Sequence, residues 1–370
     1  MWGTDTKGCL QKPLDRQDEK KIDVPLALPT ESLFDQQTVR SVVCGATDTA
    51  WITADGSCYV AGENKSGQLG LGHKDPVLQP TRLELPSSIQ HVALGPSVGA
   101  FVDAIGDLYT CGFGGSTLSG FGALAHGDLE SYTTPQRVES LVEDGCAVQQ
   151  VQVGESHITV LTTEGEVLTA GAGSYGRLGN YETADQLYLE PLELLADGVT
   201  QISGGKSFTL ALKDDGIVYG WGRNHKGQLG TGLGLAVDMY AMQALPEPIE
   251  TDELVGRKVI KIEAGHSHAA CITEGGELFY WGMSLHLEPV RVDELLHTEV
   301  VDVFCGEDYT LALDKDGQLY SIGKGKTGVL GQGSIKQLNQ ATRMEALDGY
   351  TVQHVSAGWK HAACLAVAKA

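Results

Sequence analysis

A triplet of glycines recurs along this chain at fixed internal spacing, and that pattern constrains the fold more than any other feature. Gly45, Gly56 and Gly62 are separated by 11 and 6 residues. The same two steps return at Gly95, Gly106, Gly112; at Gly154, Gly165, Gly171; at Gly205, Gly216, Gly222; at Gly265, Gly276, Gly282; and at Gly306, Gly317, Gly323. The lead glycine advances by 50, 59, 51, 60 and 41 residues, and then by 52 to Gly358. The mean advance, about 52 residues, is close to the length of one blade in propeller arrays.

One unit, residues 199–222, shows what repeats. An apolar pair three apart, Val199 and Ile202, precedes the glycine break at Gly204-Gly205. The run Phe208 to Leu212 follows, then the pair Asp215-Gly216, then Ile217 to Trp221. Two β-type runs around an Asp-Gly pair predict a hairpin. Asp55-Gly56 and Asp316-Gly317 repeat the turn, with Glu164-Gly165 and Gly275-Gly276 as variants. A second signature follows four of the Trp-Gly-type strands. It reads Gly62-Glu-Asn-Lys-Ser-Gly-Gln-Leu-Gly70 in the first unit, and it returns as residues 171–179, 222–230 and 323–331. Prolines come next, at Pro80, Pro135, Pro191 and Pro246, where each can open an edge strand or a connection. Each unit therefore predicts a small antiparallel sheet of about four strands. Fixed spacing and 42% hydrophobic residues argue against a disordered glycine-rich chain.

The seventh lead glycine, Gly358, opens a unit that stops at Ala370 before its hairpin turn. Met1-Trp2-Gly3 reads as the end of a third strand, and Gly8-Cys9-Leu10 matches Gly67-Gln68-Leu69. Residues 1–10 thus complete the last blade. The expected fold is all-β: one seven-bladed β-propeller over residues 1–370, with leads at 45, 95, 154, 205, 265, 306 and 358 and the final blade closed by the two terminal segments. Closure removes unpaired sheet edges, and the composite blade is expected to be the weakest.

The combination Gly-x-x-His-(Ala/Thr), Asp-Gly, Trp-Gly and Gly-Gln-Leu-Gly resembles the repeat of the regulator of chromosome condensation family over almost the whole chain. The resemblance implies a seven-bladed propeller with the same split-blade closure. It does not fix the function. This fold hosts a Ran nucleotide exchange factor, a plant ultraviolet-B photoreceptor and many interaction modules.

Charge bounds the partners. Lys and Arg number 26 against 48 Asp and Glu, a net charge of −22. Such a chain is repelled by phosphate backbones, so direct nucleic-acid binding is not expected. The family's chromatin-binding member has a basic N-terminal tail, and no counterpart is expected here. The first residues read neither as a signal peptide nor as a membrane span. None of the eight cysteines forms a Cys-x-x-Cys pair. They read as buried, reduced thiols, which points to cytoplasm or nucleus and away from a zinc site.

His157, His268 and His361 each lie three residues after a lead glycine, where other units hold Asp48, Phe208 and Tyr309. A repeated position usually serves the repeat, so these read as structural. The Gly-Gln-Leu-Gly segments lack a Gly-Lys-(Ser/Thr) ending and a following helix, so they are not phosphate loops. No nucleophilic triad or paired-carboxylate arrangement is recognisable. Neither bond-making catalysis nor a cofactor or metal is expected. Trp359 resembles the tryptophan of the photoreceptor's Gly-Trp-Arg-His motif, but it occurs once and cannot form an exciton-coupled group.

Two departures from the repeat are the candidate partner sites. The first follows Gly112 and runs over residues 113–134, with Phe113, Leu118, Phe121 and Tyr132 as candidate contacts. It is the third Trp-Gly-type segment counted from the N-terminus, and the resemblance places the exchange factor's nucleotide-prying wedge there. The second runs over residues 231–257 and offers Met239, Tyr240 and Met242, adaptable apolar groups of the kind found at interfaces. The fifth unit is cut short after Met283, with no Gly-x-Leu-Gly before Pro289. The resulting expectation is a protein-interaction scaffold whose acidic surface suits another protein with a basic patch. The alternative is nucleotide exchange on a small, Ran-like GTPase.

Overall fold

A computed structural model describes residues 1–5, 7–11, 21–28, 33–118, 120–233 and 240–369. Each glycine unit folds into a four-stranded antiparallel sheet. In the fourth, Val199–Gly204 lies innermost, followed outward by Phe208–Lys213, Val218–Arg223 and Met242–Pro248. Seven such sheets occur among the described residues. Neighbouring inner strands touch all the way round, and Tyr350–Ala357 of the last blade meets Val39–Cys44 of the first. The molecule is a seven-bladed propeller. Blades are numbered here from the first lead glycine.

Strand position explains strand composition. The second strand of each blade is paired on both edges and covered on both faces by the adjacent blades. Every residue of Asp48–Thr53, Val98–Asp103, His157–Thr162, His268–Thr273 and Tyr309–Asp314 is buried. This is the setting in which a strand reads as a near-continuous apolar run instead of alternating. The outer strand has a free edge, where a missing N–H costs little. Pro80, Pro135, Pro246 and Pro289 sit inside that strand, at the register shift where it bulges, and do not open it.

The three glycines of a unit have three different physical reasons. In blade four, the ring of Phe208 lies directly on Gly205, where a Cβ would stand. Gly216 turns the hairpin at φ +87°, and its carbonyl accepts the N–H of Val259, the first inner-strand residue of blade five, at 3.3 Å. Gly222 has φ +103°, and a Cβ there would come within 2.6 Å of the Ser207 carbonyl oxygen. The first position needs space, the second a left-handed turn that joins blades, and the third close backbone approach.

The Trp-Gly and Gly-x-Leu-Gly motifs turn out to be the two halves of one contact. Trp221 Nε1 donates to the Arg177 carbonyl at 3.1 Å, Trp281 to that of Gln228 at 2.9 Å, and Trp2 to that of Val329 at 2.6 Å. In each pair the acceptor is the variable residue of Gly-x-Leu-Gly in the preceding blade. Cys111 Sγ contacts the Gln68 carbonyl in the same way, at 3.3 Å. Alanine fills the tryptophan slot in blades one and three, at Ala61 and Ala170, and Ile322 fills it in blade six, which follows the blade that lacks Gly-x-Leu-Gly. An indole N–H buried there would have no acceptor from that motif, a loss worth about 1–3 kcal/mol. Trp281→Phe should therefore destabilise the protein by roughly that amount, and Ile322→Trp should also destabilise despite matching the repeat. Urea denaturation reads both; a neutral or stabilising Ile322→Trp would break the pairing argument.

The last blade is shared between the termini. Trp2 pairs opposite Ala362 on one side, while Gly3 pairs opposite Ile22 on the other. The fourth strand is Lys21–Ile22, so the N-terminal contribution extends past Leu10. The third strand is only 3 residues long, Trp2–Thr4. Between blades, short turns insert a buried leucine into the core: Leu141, Leu195, Leu295 and Leu347. All eight cysteines are free thiols. No helix among the described residues is long and apolar enough to cross a membrane.

Candidate interaction face

Two sets of loops emerge at one end of the ring. The tight loops after the lead glycines form an inner circle, and the loops joining third to fourth strands form an outer one. A repeated bond ties them together: Phe113 N–H to Ser97 O at 2.8 Å, Ala172 to Ser156 at 2.8 Å, Arg223 to Ser207 at 2.9 Å, and Lys324 to Asp308 at 2.9 Å. The inner circle rims a central channel of about 300 Å³, lined by His91, Glu263 and His354 and bordered at this end by Lys206, His266 and Trp359.

The repeated histidines do not face this end openly. Nε2 of His157 meets Thr209 Oγ1 at 3.2 Å, that of His268 meets Thr310 at 3.0 Å, and that of His361 meets Thr49 at 2.9 Å. Each bond crosses to the next blade. Thr49 Oγ1 donates to the Cys9 carbonyl at 3.0 Å, so it accepts the Nε2–H of His361. Burial drives the three imidazoles far below the ordinary histidine value, His157 to about 3 and His268 and His361 to about 4. Tyr309 in the same slot donates to the carbonyls of Gly358 and His361, both at 2.9 Å. The slot is a blade-to-blade fastener.

The blade-two insertion carries a small hairpin, Gly115–Ser116 against Gly120–Phe121. Leu118 near its tip is 99% exposed. Phe113 and Phe121 pack edge-on with centroids 6.2 Å apart. Tyr132 packs on His126 at 5.2 Å and donates to Asp128 at 3.2 Å. Of the four candidates in this segment, three are held by partners inside it and Leu118 projects. Asp185 of blade three fastens the hairpin: its carboxylate accepts Phe121 N–H at 2.8 Å and Gly173 N–H at 3.0 Å. Sequence reading missed Asp185 because its partner in the hairpin, Phe121, lies in a different repeat.

The second departure lies two blades on. Tyr240 and Met242 are exposed, while Met239 lies outside the described residues. Blade three's loop stands between the two departures and joins them, since Tyr181 N–H reaches the Ala244 carbonyl at 2.9 Å. In blade five the missing segment is replaced by a tight turn with Met283 at φ +53° and Ser284 at φ +59°. Ser284 N–H bonds to the Lys226 carbonyl at 2.9 Å, and Leu285 beside it is exposed.

Charge on this face is not distributed as the net value suggests. Arg177 and Arg223 converge on the Tyr175 ring, at 5.6 and 4.3 Å from its centroid. Arg177 is 4% exposed, and its guanidinium donates to Ser174 O and Oγ with no carboxylate within 4.0 Å among the described residues. Lys226 Nζ contacts Ser267 Oγ at 3.4 Å, and Lys206 pairs with Glu155 at 3.0 Å. Burial, aided by Arg223, Lys226 and Lys206, depresses His225 to about 4, and burial with Lys206 and Lys226 does the same to His266. His266 packs edge-on against Trp359 at 5.2 Å.

The regulator of chromosome condensation (RCC1) repeat matches residues 55–102, 106–161, 164–212, 215–272 and 316–365, more than half of the chain, and a second form of it matches 199–228 and 300–328. The chain belongs to that family. It is 32% identical over 263 residues to the Ultraviolet-B receptor UVR8 of Arabidopsis thaliana, covering 70% of this chain and 56% of the receptor. It is 33% identical over 238 residues to the secretion-regulating guanine nucleotide exchange factor of Bos taurus, covering 62% of this chain and 48% of that protein. The chain thus spans about half the length of these relatives. Among solved structures, Prp20p of Saccharomyces cerevisiae, reported with its binding properties to Gsp1p and histones, superposes with a TM-score of 0.85 at 19% identity, covering 100% of this chain and 91% of that one. At that identity the likeness speaks for the fold.

Proposed function

We propose that this propeller is a non-catalytic platform for another protein, placed in cytoplasm or nucleus, and that its loop face is the binding surface. The observation that carries the reading is the concentration of both repeat departures on one face of a closed, mutually fastened ring. Loops held by a rigid scaffold are where binding residues concentrate. The candidate contacts are Leu118 at the hairpin tip and Tyr240 and Met242 on blade four, all exposed. Phe113, Phe121 and Tyr132 shape the hairpin. To test this, a variant with residues 114–131 replaced by a short Gly-Ser turn is compared with wild type in affinity capture and mass spectrometry. A protein recovered with wild type and lost with the variant is expected; identical recovery, or none, contradicts the reading.

A second reading, nucleotide exchange on a small GTPase, is favoured by the hairpin itself, which stands in the segment where exchange by a wedge requires a projection. Release of fluorescent mant-GDP from Ran and a panel of small GTPases decides between them. Rates unchanged by the protein are expected for a platform. Acceleration that disappears with the 114–131 replacement would establish exchange instead.

A further inference from the structure

We infer that the loop face over blades three to five receives an acidic segment of the partner protein, its carboxylates meeting Arg223 and Lys226 above the buried charge of Arg177 and an apolar side chain resting on Leu285. This deepens the platform reading and depends on it.

Three observations carry the inference. First, cations gather here although the chain as a whole is at −22. Second, they are short of counter-charge. Arg177 is nine-tenths buried and its hydrogen bonds go to neutral acceptors, while Glu155 and Asp185 act on it from beyond ion-pair distance, and a buried guanidinium without a paired carboxylate is costly. Arg223 Nε and His225 Nδ1 are buried atoms with no hydrogen-bond partner. Third, the neighbouring carboxylates are committed: Glu155 pairs with Lys206, and Asp185 accepts two backbone N–H groups. The Tyr175 ring, 4.3 Å from the Arg223 Cζ, holds that guanidinium in place, and a positioned guanidinium fork is suited to bidentate carboxylate recognition. Leu285, 64% exposed, sits beside Lys226 through the Ser284–Lys226 backbone bond and supplies apolar contact. A phosphate backbone would satisfy the same cations, but a polyanion long enough to reach them also meets the acidic remainder of the surface, so a short acidic polypeptide segment is favoured.

The test is selection of phage-displayed random dodecapeptides against the wild-type protein and against Lys226→Glu, with Arg223→Gln as a second variant and melting curves confirming that each folds. Enrichment of Asp and Glu over the unselected library is expected. The synthetic consensus peptide should bind about tenfold more weakly to Lys226→Glu, the effect of losing one charge-assisted contact. Enrichment of basic or neutral peptides, affinity unchanged in both variants, or no enrichment overturns the inference; the first two leave the platform reading standing, because a peptide still binds. Tighter binding of a single-stranded oligonucleotide than of the consensus peptide at physiological salt overturns it in favour of nucleic acid. Concentration-dependent dimerisation abolished by Lys226→Glu overturns it in favour of a second copy.

Discussion

Removal of residues 1–10 should convert a monodisperse protein into an aggregating one with no cooperative melt above room temperature. Deleting them takes out the strand Trp2–Thr4, which bridges His361–Ala368 and Lys21–Ile22. The second strand of blade seven then becomes an open edge, and Lys21–Ile22 loses its only strand partner among the described residues. Open edges recruit other chains. The deletion also empties the core at Trp2, Cys9 and Leu10, none more than 1% exposed. Removing a buried tryptophan costs about 3–5 kcal/mol and a buried leucine about 2–5. Together these approach the whole stability of an ordinary domain, about 5–15 kcal/mol. Trp2→Ala alone should give an intermediate loss, because the backbone pairing survives while the Val329 carbonyl is orphaned. Differential scanning calorimetry with light scattering reads the effect, and an unchanged melting temperature after the deletion would refute the shared blade.

Acid should unfold the protein steeply between about pH 6.5 and 4, the window set by ordinary histidine and by the depressed values inside the ring. His91, His157, His268 and His361 are all held neutral by burial, at about 3 to 4. A group whose value falls on folding contributes stability that is present above its unfolded value and lost as pH drops, because only the unfolded chain takes up the proton. Two buried acids act in the opposite direction. Burial raises Asp48 to about 7 and Glu263 to about 8, so the folded chain keeps their protons where the unfolded chain releases them. Those four histidines less the two acids give an uptake of about two protons on unfolding, a slope of roughly 3 kcal/mol per pH unit, and the part-buried His225 and His266, also at about 4, add uptake of the same sign. His268→Phe, which borrows the occupant of the equivalent slot in blade four, should lower that slope by about one proton, roughly 1.4 kcal/mol per pH unit. It should also cost about 1 kcal/mol at neutral pH through loss of the bond to Thr310. Urea titrations at several pH values measure both; a slope unchanged by His268→Phe would mean that this histidine is not a source of the acid sensitivity.

The histidine slot shows how far a repeat can be read. Its spacing from the lead glycine identifies it as structural, and the tertiary structure shows the work it does: a bond from one blade to a threonine of the next. The Trp-Gly and Gly-x-Leu-Gly motifs were both visible, yet their coupling was not. The two halves lie 53 residues apart for Trp281 and Gln228, and 327 apart for Trp2 and Val329. Ile322, which follows the shortened fifth unit, is one of four non-tryptophan occupants of the slot, with Ala61, Cys111 and Ala170. Among the candidate contacts, apolar character alone did not separate Leu118, which projects, from Phe121, which packs on Phe113 and is fastened by Asp185.

By itself the sequence determined the number of blades, the hairpin turns and the seam between the two ends. Those features rest on backbone demands, positive φ and the absence of space for a Cβ, which only glycine meets and which recur at every unit. The tertiary structure alone decided where charge sits. Net charge is a sum without positions, and the cations over blades three to five come from four different segments: Arg177 from one loop, Lys206 from another, Arg223 from a strand end and Lys226 from the loop after it. Ring closure brings them to one face of an otherwise acidic protein, because strands of successive blades must run in the same direction for their inner edges to meet.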